Sequence, residues 1–87
     1  MKFRFKIIDS VKENKIIGVF GDCFKVRLRT DLYYNSDGKK TAFIEFIAFE
    51  LGIEPDLIIL ISFNNFKNII ELELPDLSYE IIMSLVN

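Results

Sequence analysis

The chain has no histidine and no tryptophan, a single cysteine, two prolines and four glycines. Lacking histidine, it lacks the side chain most often used as general base and metal ligand near neutral pH. With Cys23 alone, no intramolecular disulfide can form, and nothing beside it in sequence marks it as a thiolate, so a buried thiol is expected. Ser10, Ser36, Ser62, Ser78 and Ser84 sit in no nucleophile motif, and the carboxylates are scattered without metal-ligand spacing. Neither catalysis nor a cofactor is expected. The longest apolar run, Leu57 to Ile61, is far too short to span a bilayer. The N-terminus alternates Lys and Arg with Phe and Ile and lacks the apolar block of a signal peptide, so cytoplasmic residence is the expectation.

What is abundant is apolar. Hydrophobic residues make up 51% of the 87, nine of them Phe, which calls for one packed core in one domain spanning 1–87. Gly38 to Gly52 organises the rest. Phe43, Ile44, Ile47, Ala48 and Leu51 recur at helical spacing, which predicts an amphipathic helix. Thr41 is the expected N-cap, with Asp37 as competitor. Gly52 supplies a left-handed stop over which Ile53 can fold back, and Pro55 forbids continuation.

Around this helix the pattern has period two. Phe3, Phe5 and Ile7 alternate with Lys2, Arg4 and Lys6 in a first strand. Ile16 to Phe20 reads as a short strand turning at Gly21-Asp22 into a second alternating one, with Phe24, Val26 and Leu28 inward and Lys25, Arg27 and Arg29 outward. Residues 57–63 are apolar on both faces and are expected to form an interior strand. Asn64-Asn65 is turn chemistry; Ile70, Leu72 and Leu74 then face inward with Glu71 and Glu73 outward. Pro75-Asp76 is expected to cap a last helix burying Leu77, Ile81, Ile82 and Leu85. The expected fold is α+β, a two-layer mixed sheet with two helices on one face, in the order β-β-loop-α-β-β-α.

Read together, Ile16-Ile17-Gly18-x-x-Gly21-Asp22-x-x-Lys25-Val26-Arg27-Leu28, then Gly38-Lys39, then the run Ala42 to Ile53, resemble the YggU-like family of small α+β proteins of unknown function. The resemblance covers roughly residues 7–74 and lies in the joint order of these segments. It implies a strand pair, loop, helix, strand pair and helix. In the loops Gly38, Lys39, Ser62 and Lys67 match the family pattern. The prolines it has before the helix are missing here, and Phe63 stands where it has Gly.

Three surfaces are candidates. Residues 1–40 hold ten Lys or Arg against five acids, and residues 41–87 one Lys against eight acids. The outward rows Lys2, Arg4, Lys6 and Lys25, Arg27, Arg29 could together hold phosphates, with Tyr33 and Tyr34 as stacking rings. Glu71 and Glu73 lying opposite would neutralise them instead, and a pI near 5.0 favours that alternative. Gly38-Lys39-Lys40-Thr41 is no nucleotide loop, because Tyr33 and Lys40 stand where glycine and Ser or Thr are required. Lys39 and Lys40 at a helix N-terminus could still hold an anion. Finally Ala42, Phe46 and Phe49 lie off the core stripe, and an exposed patch there would mark a protein partner or homodimer surface. The expected role is a non-catalytic interaction module. Weak nucleic-acid or anion binding is the alternative.

Overall fold

The computed structural model describes residues 1–31 and 35–86. Its elements, in chain order, are β1 (Lys2–Ser10), β2 (Lys15–Phe20), β3 (Cys23–Arg29), α1 (Ser36–Leu51), a 3-10 turn at Pro55–Leu57, β4 (Ile59–Asn64), β5 (Ile69–Glu73) and α2 (Ser78–Leu85). The five strands form one mixed sheet in the order β2-β3-β1-β5-β4. The α+β class and the strand–helix order follow the sequence pattern.

β1 lies at the centre, parallel to β3 and antiparallel to β5. Its alternation buries Phe3, Phe5 and Ile7 beside Phe24, Val26 and Leu28 of β3 and Ile70, Leu72 and Leu74 at and just beyond β5. Both helices cover this face, contributing Phe43, Ile47, Ala48 and Leu51 from α1 and Ile82 from α2 to the same core. Four rings anchor it. Phe5 stacks among Phe3 and Phe24 and meets Phe43 of α1 edge-on, with ring centres 5.2 Å apart. Such pairing adds about 0.5–1.5 kcal/mol to the area that each ring buries.

The ends of α1 show one expectation met and one corrected. Gly52 has φ +68°, its N–H donates to the Phe49 carbonyl, and the Ile53 N–H reaches back to Ala48 at 3.0 Å. This is the left-handed stop the sequence implies. The N-terminus starts earlier than Thr41 or Asp37 would place it. Asn35 is extended, and its Oδ1 accepts from the Gly38 N–H at 2.8 Å, so Asn35 is the cap. The result is a 16-residue helix in which Thr41 is an interior residue.

α2 is corrected in a similar way. It begins at Ser78, with Leu77 as an N-cap that offers no side-chain bond, and Asp76 caps nothing. Leu77 is 75% exposed and Leu85 stands at the margin of exposure, so Ile82 is the fully buried anchor and Ile81 and Met83 pack beside it. Ala42, expected off the core stripe, is buried.

The largest departure concerns residues 57–63. Leu57 belongs to the 3-10 turn, and β4 is an edge strand, not an interior one. A bulge explains its double-faced pattern. Leu60 pairs with Leu72 and Ser62 with Glu71, leaving Ile61 as an extra residue between them. Leu60 and Phe63, an odd number of residues apart, therefore both face the core, while Ile59, Ser62 and Asn64 share the outer face with Glu73, Glu71 and Ile69. An apolar run read as buried on both sides thus leaves Ile59 and Ile61 at the surface.

Candidate interaction surface

Because both helices pack on one side, the other side of the sheet is bare among the described residues, and it carries the basic rows. They are staggered. The parallel register sets Lys6 beside Lys25, but Arg27 beside Ile8 and Arg29 beside Ser10, so the two rows meet at one point. On the other flank Lys2 lies opposite Glu73 and Arg4 opposite Glu71, the neutralising arrangement weighed from the sequence.

Most of the candidate cations are bonded within the molecule. Arg4 pairs with Asp22 at 2.6 Å, Arg27 with Glu13 at 3.2 Å and Arg29 with Asp31 at 2.9 Å. Lys6 donates to the backbone carbonyl of Lys67, and Lys25 stands 4.1 Å from the centre of the Phe20 ring, a cation–π geometry. The two lysines at α1 are occupied as well. Lys39, largely buried, bridges Asp9 at 3.3 Å and Asn68 Oδ1 at 3.0 Å, tying the helix to the sheet. Lys40 pairs with Asp37 one turn back at 3.5 Å. The exposed pairs of Arg4, Arg27, Arg29 and Lys40 each stabilise the fold little. What they do is lower the field that a polyanion would feel. Tyr33 and Tyr34, the proposed stacking rings, lie outside the described residues.

Two shallow concavities mark the bare face. One, of about 470 Å³, is lined by Lys6, Phe20, Cys23, Lys25 and Ile69; its neighbour, of about 320 Å³, by Arg4, Ser62, Asn64, Lys67 and Glu71. Cys23 is half-buried, and its Sγ lies 3.5 Å from Asp22 Oδ1. Burial, and then the Asp22 carboxylate, push its thiol up from the usual value, which makes it a poor nucleophile near neutral pH. The same contact, with Arg4 beside it, holds Asp22 below the usual carboxylate range, and Arg29 does the same for Asp31. Among the described residues no group of three His, Cys, Asp or Glu is placed to hold a metal ion. No helix among them is long and apolar enough to cross a membrane.

The helix face resolves into one exposed ring. Phe46 is half-buried and packs against the core, whereas Phe49 is 82% exposed.

Exposed apolar side chains gather elsewhere, along β4 and its flanks. Leu57, Ile59 and Ile61 are exposed, and Phe66, at the tip of the β4–β5 turn, is 99% exposed. Ten residues from Leu57 to Phe66 carry no charge. The turn is built by Asn64, whose Oδ1 accepts from the Lys67 N–H, and by Asn68 at φ +55°. Among the described residues no strand pairs beyond β4, so its outer backbone groups form an open edge. Sequence reading missed this surface because a run apolar on both faces looks alike in the middle of a sheet and at a bulged edge. A scan of family models and searches of curated proteins and of solved structures returned no significant match.

Proposed function

We propose that this domain is a non-catalytic interaction module that binds a protein partner by strand addition at the β4 edge. One observation carries the reading: an open, uncharged sheet edge flanked by exposed Leu57, Ile59, Ile61 and Phe66. Edge strands usually defend themselves with lysine, proline, an inward charge or a bulge, and of these β4 carries only the bulge at Ile61. An added strand gains affinity from main-chain hydrogen bonds and specificity from the alternate side chains beside it. The absence of histidine from the sequence and the upward push on the Cys23 thiol by burial and the Asp22 carboxylate support the non-catalytic part of the reading. Membership of the YggU-like family and residence in the cytoplasm belong to the same proposal, supported by the strand–helix order and by the short apolar runs of the sequence.

The experiment is selection of a displayed library of random peptides on the immobilised domain, in parallel with its Ile61→Lys variant. The reading expects peptides with alternating apolar residues to be enriched on the wild-type domain and lost on the variant, whose charge sits on the edge. Equal enrichment on both, or none on either, contradicts it.

A further inference from the structure

We infer that the concavity of about 470 Å³ on the bare sheet face binds a small organic carboxylate, its charged head shared by Lys6 and Lys25 and its apolar body against Phe20, Cys23 and Ile69. This goes beyond the strand-addition reading and does not depend on it, since the residues that line the concavity come from β1, the β2–β3 hairpin and β5.

The charge of the site follows from the sheet register. Lys6 and Lys25 are direct neighbours on β1 and β3, at the one place where the two basic rows meet. Neighbouring strands lie about 4.8 Å apart, so two half-buried lysines here repel each other, and a shared anion removes the repulsion. Arg4, Arg27, Arg29, Lys39 and Lys40 each have a carboxylate partner. Lys6 and Lys25 are in no salt bridge among the described residues. Lys6 donates to the Lys67 carbonyl, and Lys25 stands over the Phe20 ring. An ammonium carries three donors, so each keeps N–H groups for a ligand. On β2 the partner of Lys25 is Gly18, where even a Cβ would meet nothing within 4 Å, so that strand leaves the space beside the pair open.

The remaining walls set the size and charge of the ligand. Phe20, 69% exposed, is the strand partner of Cys23, and Ile69 is the neighbour of Lys6 on β5. Apolar walls with two converging charges in a few hundred Å³ are the make-up of a small-molecule site. Asp22 also borders the concavity, its charge met by Arg4 at 2.6 Å. Further negative charge on the ligand would face that carboxylate, so a singly charged head fits better than a doubly charged phosphate. One meeting point of two lysines likewise suits one head group and gives a nucleic-acid backbone no row of contacts to follow.

The test is a titration of the full chain with cinnamate, followed by two-dimensional amide NMR spectra. Cinnamate is expected to shift the amides of Lys6, of Phe20 to Lys25 and of Ile69, and to saturate with a Kd of about 1 mM, the strength typical of a ligand this small. Cinnamamide, without the charge, and acetate, without the apolar body, are each expected to bind at least about tenfold more weakly. Lys6→Gln and Lys25→Gln are each expected to weaken cinnamate about threefold to fivefold, the effect of losing one exposed ion pair. Lys15→Gln, at the far end of β2 beside Arg27, is expected to leave the Kd unchanged. The same spectra report whether each variant is folded. Shifts that stay linear to about 20 mM, or that centre on β4 instead of this concavity, overturn the inference. So does cinnamamide binding as tightly as cinnamate, or an unchanged Kd in the folded Lys6→Gln/Lys25→Gln double variant.

Discussion

Replacing Phe43 by alanine tests whether the core is built as described, because Phe43 is the ring through which α1 reaches the sheet. It is fully buried and meets Phe5, itself fully buried, edge-on. Removing a buried Phe side chain costs about 3–5 kcal/mol, combining lost transfer energy with the cavity left behind. A domain of 87 residues has roughly 4–13 kcal/mol of stability in all. At an unfolding entropy of about 2.1 cal/mol/K per residue, a loss near 4 kcal/mol lowers the melting temperature by about 20 °C. In urea, with a slope near 1.5 kcal/mol/M, the midpoint falls by roughly 2–3 M. Phe49→Ala, two turns along the same helix on an 82% exposed ring, is expected to stay within about 0.5 kcal/mol of wild type. Urea titrations followed by far-UV circular dichroism of the two variants side by side decide the matter. A Phe43→Ala loss below about 1 kcal/mol, or equal losses for the two, would refute the assignment of the helix faces.

Further outcomes are expected from the same structure. Asn35→Ala should cost about 1 kcal/mol by removing the bond to the Gly38 N–H, and Thr41→Ala at most a few tenths; the reverse order in thermal melts would return the cap to the later position. Gly52→Ala should cost about 1–2 kcal/mol through its left-handed backbone alone, since a Cβ there meets nothing within 4 Å, and a neutral melt would contradict that conformation. Asp22 and Asp31 have lowered folded-state pKa values, so each binds its proton more readily in the unfolded chain. Their contribution is present above the ordinary carboxylate value of 3.8 and is lost as pH falls through the lower folded values. Acid unfolding of Asp22→Asn should therefore be less steep below that point than that of wild type, and coincident acid transitions would remove the contact with Arg4 and Cys23. A labelled pool of mixed RNA and DNA should give flat anisotropy at low salt. Binding that weakens steeply with salt and disappears in Arg27→Glu would move the site to the bare sheet face.

Much of the fold was legible because burial in a two-layer domain imposes simple periods. The alternation of Phe3, Phe5 and Ile7, and of Phe24, Val26 and Leu28, survives because one face of the sheet is covered and the other is open. Gly52 was legible for a local reason, since few other residues end a helix in that conformation. The Asn35 cap was not, because Asn35, Asp37 and Thr41 are all competent and tertiary packing chooses among them. Strand order was not legible either. Alternation records which side of a residue is buried and says nothing of its lateral neighbours, so the N-terminal strand could take the centre and residues 59–64 the edge without any change in pattern. The basic residues were found by composition, but their ion pairs with Asp22, Glu13, Asp31 and Asp9 depend on contacts across the fold. Phe46 and Phe49 separated for a similar reason, since a helix carries a half-buried margin whose width its neighbours set.

Amide hydrogen exchange across the sheet, with and without a peptide selected on the domain, tests the central claim most directly. Alone, the outward amides of β4 should exchange far faster than those of β5 beside it, as befits an open edge. With the peptide the β4 amides should slow, while those of β2 at the other edge keep their rate. Unchanged β4 exchange in the presence of the peptide, or slowing confined to β2, would contradict the claim that β4 is the strand this domain offers to a partner.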